Sequence, residues 1–196
     1  MKSQNLKNMK KWILSAAFVV AATLSAFANS AVIAQLKANA PAQIDCQFEQ
    51  QKFLKGMAKP VVSKGALTYT KDNLSMMYTQ PAGDYLHISP TEFSMQVKGK
   101  VRKHNIKPGS PMLVLKNTLT LCMDGDVEAV ATENGATLTY ANNGNHQFTL
   151  TKELNKGEKG YSKIVLEYNP KTYVLSSMTM VEANGNYTVY TLTNQK

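Results

Sequence analysis

Apolar and polar residues alternate along residues 65–89, the stretch GALTYTKDNLSMMYTQPAGDYLHIS. Successive side chains of a β-strand point to opposite faces, so this alternation predicts three short strands that share one apolar face. The turns between them fall at residues 72–73 and 81–84, where proline, glycine and Asx residues favour chain reversal. A further strand over Thr91 to Val101 continues the pattern. The predicted apolar face consists of Leu67, Tyr69, Leu74, Met76, Tyr78, Leu86, Ile88, Phe93, Met95 and Val97.

Two stretches follow the helical period instead. Asn29 to Ala40 has the spacing of a short amphipathic helix. Ser110 and Pro111 form an N-cap and a first helical residue, and the apolar residues that follow them are Met112, Leu113, Leu115 and Leu119. We predict a helix through about Leu115, while a buried strand over residues 113–121 remains the alternative.

Asx-Gly pairs mark the rest of the chain, at residues 124–125, 134–135, 143–144 and 184–185. Such pairs join antiparallel strands in hairpins, and the segments between them are rich in β-branched and aromatic residues. Together with a first strand over Ile44 to Phe53, the chain is predicted to form about ten strands. That is too much sheet for one flat layer and enough for a strongly curved or nearly closed antiparallel barrel.

Residues 1–28 have the features of a secretory signal: a basic start, an apolar run and the small-x-small sequence Ala26-Phe27-Ala28. A membrane anchor is the less favoured alternative, because hydroxyl residues interrupt the apolar run. Cleavage after Ala28 would leave residues 29–196 as a single domain in the periplasm and would lower the net charge from +9 to +5. Cys46 lacks the small residues and leucine that precede a lipidated cysteine, so the chain itself is not expected to be a lipoprotein.

The densest basic run consists of Lys98, Lys100, Arg102, Lys103, His104 and Lys107. We interpret it as a solvated strand end and loop, and a docking patch for a membrane or a partner is the less favoured alternative. The secretory context argues against nucleic acid as a partner.

Cys46 and Cys122 permit one intramolecular disulfide, which an oxidising compartment allows. Two small buried apolar residues are an equally open interpretation. Neither cysteine has a partner at metal-ligand spacing, so no metal and no cofactor is expected. His87, His104 and His146 lie in unrelated segments and no Gly-x-Ser-x-Gly elbow is present, so an enzyme is not expected either.

Several short motifs occur in a characteristic order. Phe48-Glu49-Gln50 is followed by Gly65-Ala66-Leu67, by a turn with Lys71, Asn73 and Leu74, and by Thr79-Gln80-Pro81. This order and spacing resemble those of the LolA-type periplasmic carriers of outer-membrane lipoproteins. Weaker similarities to these carriers, including the Ser-Pro start of the predicted middle helix, continue towards the C-terminus.

The resemblance implies an incomplete β-barrel, mainly β within the α+β class, with a helix across its mouth and a short helical lid. The apolar face would line a cavity for acyl chains, and the lid would consist of Met112, Leu113, Leu115 and Leu119. The cargo would be acylated lipoproteins, received from an inner-membrane ABC transporter of the Lol type and passed to an outer-membrane acceptor by a monomeric carrier.

One position departs from the family. Where the carriers have an arginine that holds the lid shut, this chain has Lys71, our candidate for the latch. A lysine offers a point charge rather than a rigid fork of donors, so we expect the latch to be weaker or to lie elsewhere. A periplasmic sensor that binds lipid or lipoprotein without delivering it is the alternative function.

Overall fold

The computed structural model of the protein describes residues 29–155, 157–158 and 160–195. The predicted secretory signal, residues 1–28, lies outside the described residues. Helix α1 covers residues 29–38, close to the predicted range. Two more helices lie in the middle of the chain, α2 at Pro111–Met123 and α3 at Val127–Asn134. Among the helices described, none combines the length and the apolar character that a membrane crossing requires.

The described residues also form eleven strands. Their bounds are β1 Gln43–Phe53, β2 Val61–Thr70, β3 Asn73–Gln80, β4 Ala82–Ile88, β5 Glu92–Val97, β6 Lys100–Asn105, β7 Thr137–Asn142, β8 His146–Thr151, β9 Tyr161–Tyr168, β10 Leu175–Glu182 and β11 Tyr187–Thr193. They build one antiparallel sheet in the order β6-β5-β4-β3-β2-β1-β11-β10-β9-β8-β7. Because β6 and β7 are the two edges and do not pair with each other, the barrel stays open.

The sheet is strongly curved around the helices. Tyr69 of β2 and Tyr168 of β9 are separated by three intervening strands, yet both contact the last residues of α2. We call the face that packs against the helices the inner face. The predicted fold class, a curved antiparallel sheet that forms an incomplete barrel with a helical lid and an N-terminal helix, is confirmed.

Cross-strand register places the predicted apolar residues on this inner face. Leu67 lies opposite Met76, and Met76 lies opposite Leu86. The other half of the sheet contributes a second buried set, namely Phe148, Leu150, Ile164, Leu166, Tyr168, Met178, Met180 and Leu192. The core therefore lies between the two halves of one sheet, with the helices inside it.

The structure corrects the prediction for the middle of the chain. Helix α2 continues to Met123, beyond the predicted end near Leu115, and the alternative of a strand is wrong. The Asx-Gly pairs at 124–125 and 134–135 end helices rather than join strands. Asp124 is the C-cap of α2, and Gly135, at φ 60°, is the left-handed C-cap of the unpredicted helix α3.

A second correction concerns the strand predicted over Thr91 to Val101. The structure divides this segment into β5 and β6, joined by a tight turn in which Lys98 and Gly99 both have positive φ. Two consecutive residues with positive φ match the twist of a hairpin. As a result, the basic run is mostly an edge strand rather than a strand end and loop.

Candidate functional site

The helices cover the inner face unevenly. The C-terminal half of α2 is buried through Thr118, Leu119, Thr120, Cys122 and Met123. Its N-terminal half, from Met112 to Asn117, is only partly buried. Helix α1 packs against the turn after α2, where Leu36 is fully buried and approaches Gly125 so closely that a Cβ there would lie 3.0 Å from the Leu36 Cβ. One end of the bundle is therefore fixed, and the other is loosely covered.

An apolar cavity lies between α2 and the sheet, with a volume of about 30 Å³. Helix α2 contributes Leu119 and Met123 to it. The sheet residues that line it are Leu67, Leu74, Met76, Leu86, Leu175, Met178, Tyr190 and Leu192. A cavity this small has room for a few water molecules at most, so the interior is closed to an acyl chain in this conformation.

The predicted lining residues divide into three groups around this cavity. Leu67, Leu74, Met76 and Leu86 line it directly. Tyr69, Ile88 and Phe93 are buried on the same face, beside the cavity rather than in its wall. The residues that lie nearer solvent are Tyr78 and Met95, which are partly buried, and Val97, which is exposed. Whether this face holds acyl chains remains a prediction.

A second and larger cavity, about 330 Å³, lies on the other flank of α2. The helix contributes Val114, Leu115 and Thr118 to it, and the loop after β8 and the start of β9 contribute Leu154 and Tyr161 among others. Sequence reasoning missed this groove, because it depends on how α2 lies against residues 152–161, which are distant in sequence. The predicted lid residues thus have different surroundings: Leu115 faces the groove, Leu119 faces the inner cavity, and Met112 and Leu113 are partly buried.

Two buried tyrosines fasten the C-terminal end of α2 to the sheet. The hydroxyl of Tyr69 donates to Oδ1 of Asp124 at 2.6 Å, and the hydroxyl of Tyr168 donates to the Cys122 carbonyl at 2.8 Å. Burial raises the pKa of both hydroxyls, and the nearby Asp124 carboxylate adds to this effect. Both tyrosines are therefore neutral donors at physiological pH, and both contacts join the two halves of the sheet to the same helix end.

A surface ion-pair cluster holds α1 to α3. Nζ of Lys37 lies 3.0 Å from Oδ1 of Asp126 and 3.1 Å from Oε2 of Glu128. The hydrogen bond with Asp126 is the main reason that the pKa of Lys37 is raised. Asp126 also caps α3, since its side chain accepts from the Ala129 backbone N–H at 3.1 Å. The cluster is exposed, so its contribution to stability is modest.

Lys71, the candidate latch, lies exposed in the turn between β2 and β3. Within the described part of the chain, the polar contacts of α2 with the sheet come from Tyr69 and Tyr168. The latch role of Lys71 therefore remains a prediction. Only a weak pattern in the sequence indicates the two tyrosine contacts. Each tyrosine lies near the end of a strand with alternating apolar residues, but the α2 residue that it contacts is distant in sequence.

The thiols of Cys46 and Cys122 are both buried and free in the structure. Burial raises the pKa of Cys46 to about 11 and that of Cys122 to about 12. Such thiols are poor nucleophiles and behave as small apolar groups. The disulfide between Cys46 and Cys122 stays a prediction.

His146 is buried at the start of β8. Its Nδ1 lies 3.0 Å from the Tyr140 hydroxyl, and its ring stacks on Tyr173 with centroids 5.4 Å apart. Burial lowers its pKa. His87 is partly buried and His104 is exposed, so the three rings do not form one site. The described residues contain no group of three or more His, Cys, Asp or Glu side chains arranged to hold a metal ion.

Neither a protein family profile nor a curated protein sequence matches the chain. Solved structures do. A LolA superfamily protein from Nitrosomonas europaea is 11% identical with a TM-score of 0.39, and the match covers 83% of this chain and 91% of that one.

An outer membrane lipoprotein-sorting protein domain from Vibrio parahaemolyticus is 13% identical with a TM-score of 0.43, over 84% of this chain and 90% of that one. An uncharacterized conserved protein from Thermus thermophilus is 6% identical with a TM-score of 0.48, over 86% of each chain. At these identities and TM-scores the likeness supports no further conclusion about this chain. The observed fold, an open antiparallel sheet with helices on its inner face, is the incomplete barrel that the sequence predicts.

Proposed function

We propose that the protein is a periplasmic carrier that binds the acyl chains of lipoproteins between α2 and the inner face, rather than an enzyme. The observation that supports this most directly is the pairing of an apolar inner face with a helix whose hydrogen bonds to the sheet, among the described residues, all lie at its C-terminal end. A covered apolar surface that can be uncovered is what a reversible acyl-chain binder requires.

The energetics favour such an exchange. Each methylene left in water costs ~0.8 kcal/mol, and an acylated lipoprotein carries several long chains, which a surface patch cannot cover. In the closed state α2 takes the place of the ligand, because Leu119 and Met123 fill the space beside Met76. Outward movement of α2, led by its partly buried N-terminal half and breaking the contacts with Tyr69 and Tyr168, would join the inner cavity to the groove beside Leu115 and make room for a chain.

The partners follow from the sequence motifs. The order of Phe48-Glu49-Gln50, Gly65-Ala66-Leu67 and Thr79-Gln80-Pro81 supports loading by an inner-membrane ABC transporter of the Lol type and delivery to an outer-membrane acceptor. The basic and apolar segment 1–28 supports export to the periplasm. We propose a monomer, since one chain contains both the apolar face and its cover.

A sensor that binds lipid or lipoprotein without passing it on is the second candidate. One observation favours it: Lys71 stands where the carriers have the arginine that holds the lid shut, and it is exposed. A binding module needs the cavity but not this latch.

The test begins with the periplasmic protein purified without detergent. Native mass spectrometry is used to identify any acylated molecule that co-purifies, and the protein is then titrated with a diacylated cysteine lipopeptide. A matched pair of variants locates the site. Met112→Glu places a charge in the lid and should abolish binding, whereas Met57→Glu makes the same change at a residue that is 55% exposed in the loop between β1 and β2 and should not.

Loaded protein is next mixed with vesicles that carry the acceptor. Release of the lipopeptide to these vesicles, beyond release to plain ones, would support the carrier, and retention would favour the sensor. A protein that neither co-purifies with acyl groups nor binds the lipopeptide would exclude both.

A further inference from the structure

A continuous row of side chains crosses the inner face from the cavity to the open edge of the sheet. The register pairs Leu67 with Met76, Met76 with Leu86, Leu86 with Met95, and Met95 with Arg102. Neighbouring strands lie ~4.8 Å apart, so the apolar part of the row, three steps from Leu67 to Met95, is about 14 Å long. One leaflet of a bilayer, half of its ~30 Å hydrocarbon core, has about the same thickness. The row is therefore long enough for an acyl chain, and it ends in a guanidinium.

The whole inner face of the edge strand β6 is basic. Lys100 lies opposite Val97 and His104 lies opposite Phe93, so they flank Arg102 on the same face. All three basic side chains are exposed. The alternate residues of β6, including Val101 and Lys103, point to the outer face. An amphipathic strand at this edge would normally bury apolar residues inward, and here it carries the cations Lys100 and Arg102 inward instead.

These inward cations have no acidic partner within the described residues. Glu92 pairs with Lys103 at 3.5 Å on the outer face. Asp84 lies beside the Lys98 end of the edge hairpin, where its Oδ1 accepts from the Lys98 backbone N–H at 2.7 Å, and it forms no ion pair with Lys100 or Arg102. Residues 98–107 contain no Asp or Glu at all. The positive charge on the inner side is therefore left for a ligand to neutralise.

A groove of about 290 Å³ lies at this position, lined by Met95, Val97, Lys98, Lys100 and Arg102. Its walls combine two apolar side chains with three cations. We propose that β6 is the headgroup site of an anionic lipid, whose phosphate Arg102 and Lys100 hold while its acyl chain lies along the row from Met95 to Leu67. A guanidinium presents a planar fork of donors that suits phosphate oxygens.

This assignment rests on the proposed function, because the tail needs the same inner face that would hold the acyl chains of a lipoprotein. It adds a ligand class, since it selects for a negatively charged headgroup beside the chain. A thioether-linked lipopeptide has no phosphate at that position. The basic edge strand therefore points to an anionic phospholipid or lysophospholipid as an additional ligand.

The experiment compares two lysophospholipids with the same acyl chain, lysophosphatidylglycerol and lysophosphatidylcholine, by isothermal titration calorimetry on the mature protein at low salt. The wild type should bind the anionic lipid about tenfold more tightly than the zwitterionic one. Arg102→Gln should bring this ratio close to one. Lys103→Gln removes the same charge from the adjacent outer-face position of β6 and should leave the ratio unchanged. Thermal unfolding of each variant checks that it is folded.

The possible failures are distinguishable. Equal affinity for both lipids in the wild type, or an equal effect of the two variants, would overturn the headgroup site and leave acyl binding intact. Binding of glycerol 3-phosphate alone, lost in Arg102→Gln, would show a site for a free phosphate rather than for a lipid and would also overturn it. If neither lysolipid binds, the proposed acyl-binding function fails as well.

Discussion

Replacement of Tyr69 by phenylalanine tests whether α2 is a lid fastened at one end. The ring of Tyr69 is fully buried in β2, and its hydroxyl donates to Asp124 at the C-cap of α2 over 2.6 Å. Tyr69→Phe keeps the ring and removes only this hydroxyl. The packing of the sheet is therefore preserved, while the charged hydrogen bond between sheet and helix is lost.

A hydrogen bond to a charged group contributes about 1.5–3 kcal/mol. Asp124 is partly exposed, so water can solvate its carboxylate once the tyrosine hydroxyl is gone. We therefore expect the free energy of unfolding to fall by about 2 kcal/mol. If α2 opens without global unfolding, the same energy is removed from the closed state, and the open population should rise by up to about 30-fold.

Two measurements are needed, a urea unfolding curve and the association rate of a diacylated lipopeptide. Tyr78→Phe is the matched control, because the Tyr78 hydroxyl donates to Oε1 of Gln50 at 2.8 Å and joins two strands rather than sheet and helix. The control should lose about 1 kcal/mol and should leave the association rate nearly unchanged. Burial raises the pKa of Tyr78 to about 12, so the control also starts from a neutral hydroxyl.

The reasoning would be refuted if Tyr69→Phe lost stability as expected but loaded lipopeptide no faster than the control. In that case the bond would stabilise the global fold without governing access to the cavity. Faster exchange of the α2 backbone amides with deuterium in Tyr69→Phe, but not in Tyr78→Phe, would give independent support.

Three further outcomes are expected. Gly65→Ala should lower the free energy of unfolding by about 3 kcal/mol or more, since a Cβ there would lie 2.1 Å from the Met77 carbonyl oxygen. Gly56→Ala is the control: a Cβ there has nothing within 4 Å, so the variant should lose only about 1–2 kcal/mol because of the positive φ. Urea unfolding curves of both variants test this difference. The buried thiols Cys46 and Cys122 should resist alkylation at pH 8 in the folded protein and both react in urea, and failure to react in urea without a reductant would instead indicate a disulfide. Because burial lowers the pKa of His146, the free energy of unfolding should fall as pH drops below about 6.5, where this histidine takes up a proton in the unfolded chain before it does so in the folded one. If His146→Asn leaves the slope of stability against pH unchanged, this prediction is contradicted.

The inner face could be predicted from the sequence because strand alternation is a local property. Leu67, Met76, Leu86 and Met95 each belong to the apolar set of their own strand, which repeats every two residues. The fold places the four side chains in one cross-strand row. Such alternation specifies which side of each strand is apolar. The alternation does not say which polar group a side chain will contact. Tyr69 could therefore be placed on the apolar face, but its hydroxyl could not be paired with Asp124, 55 residues away.

Helix α3 could not be predicted, because an Asx-Gly pair serves two structures. The residue with positive φ that a tight hairpin requires is also the residue that ends a helix. Asn134-Gly135 therefore indicated a hairpin and in fact caps α3. The hairpin between β5 and β6 was missed for the opposite reason, since Lys98-Gly99 lacks the Asn or Asp that marks such turns.

The uneven fastening of α2 lets a ligand compete with the protein's own lid. Its C-terminal end has two hydrogen bonds from buried tyrosines, together contributing about 3 kcal/mol, and its N-terminal half is only partly buried. An acyl chain that buries ten methylenes gains about 8 kcal/mol. That exceeds the loss of the polar contacts and leaves a surplus to offset the partial exposure of residues such as Met112. A helix buried along its whole length would make the closed state too stable for a chain to displace, and an unfastened helix would leave the inner face exposed between ligands.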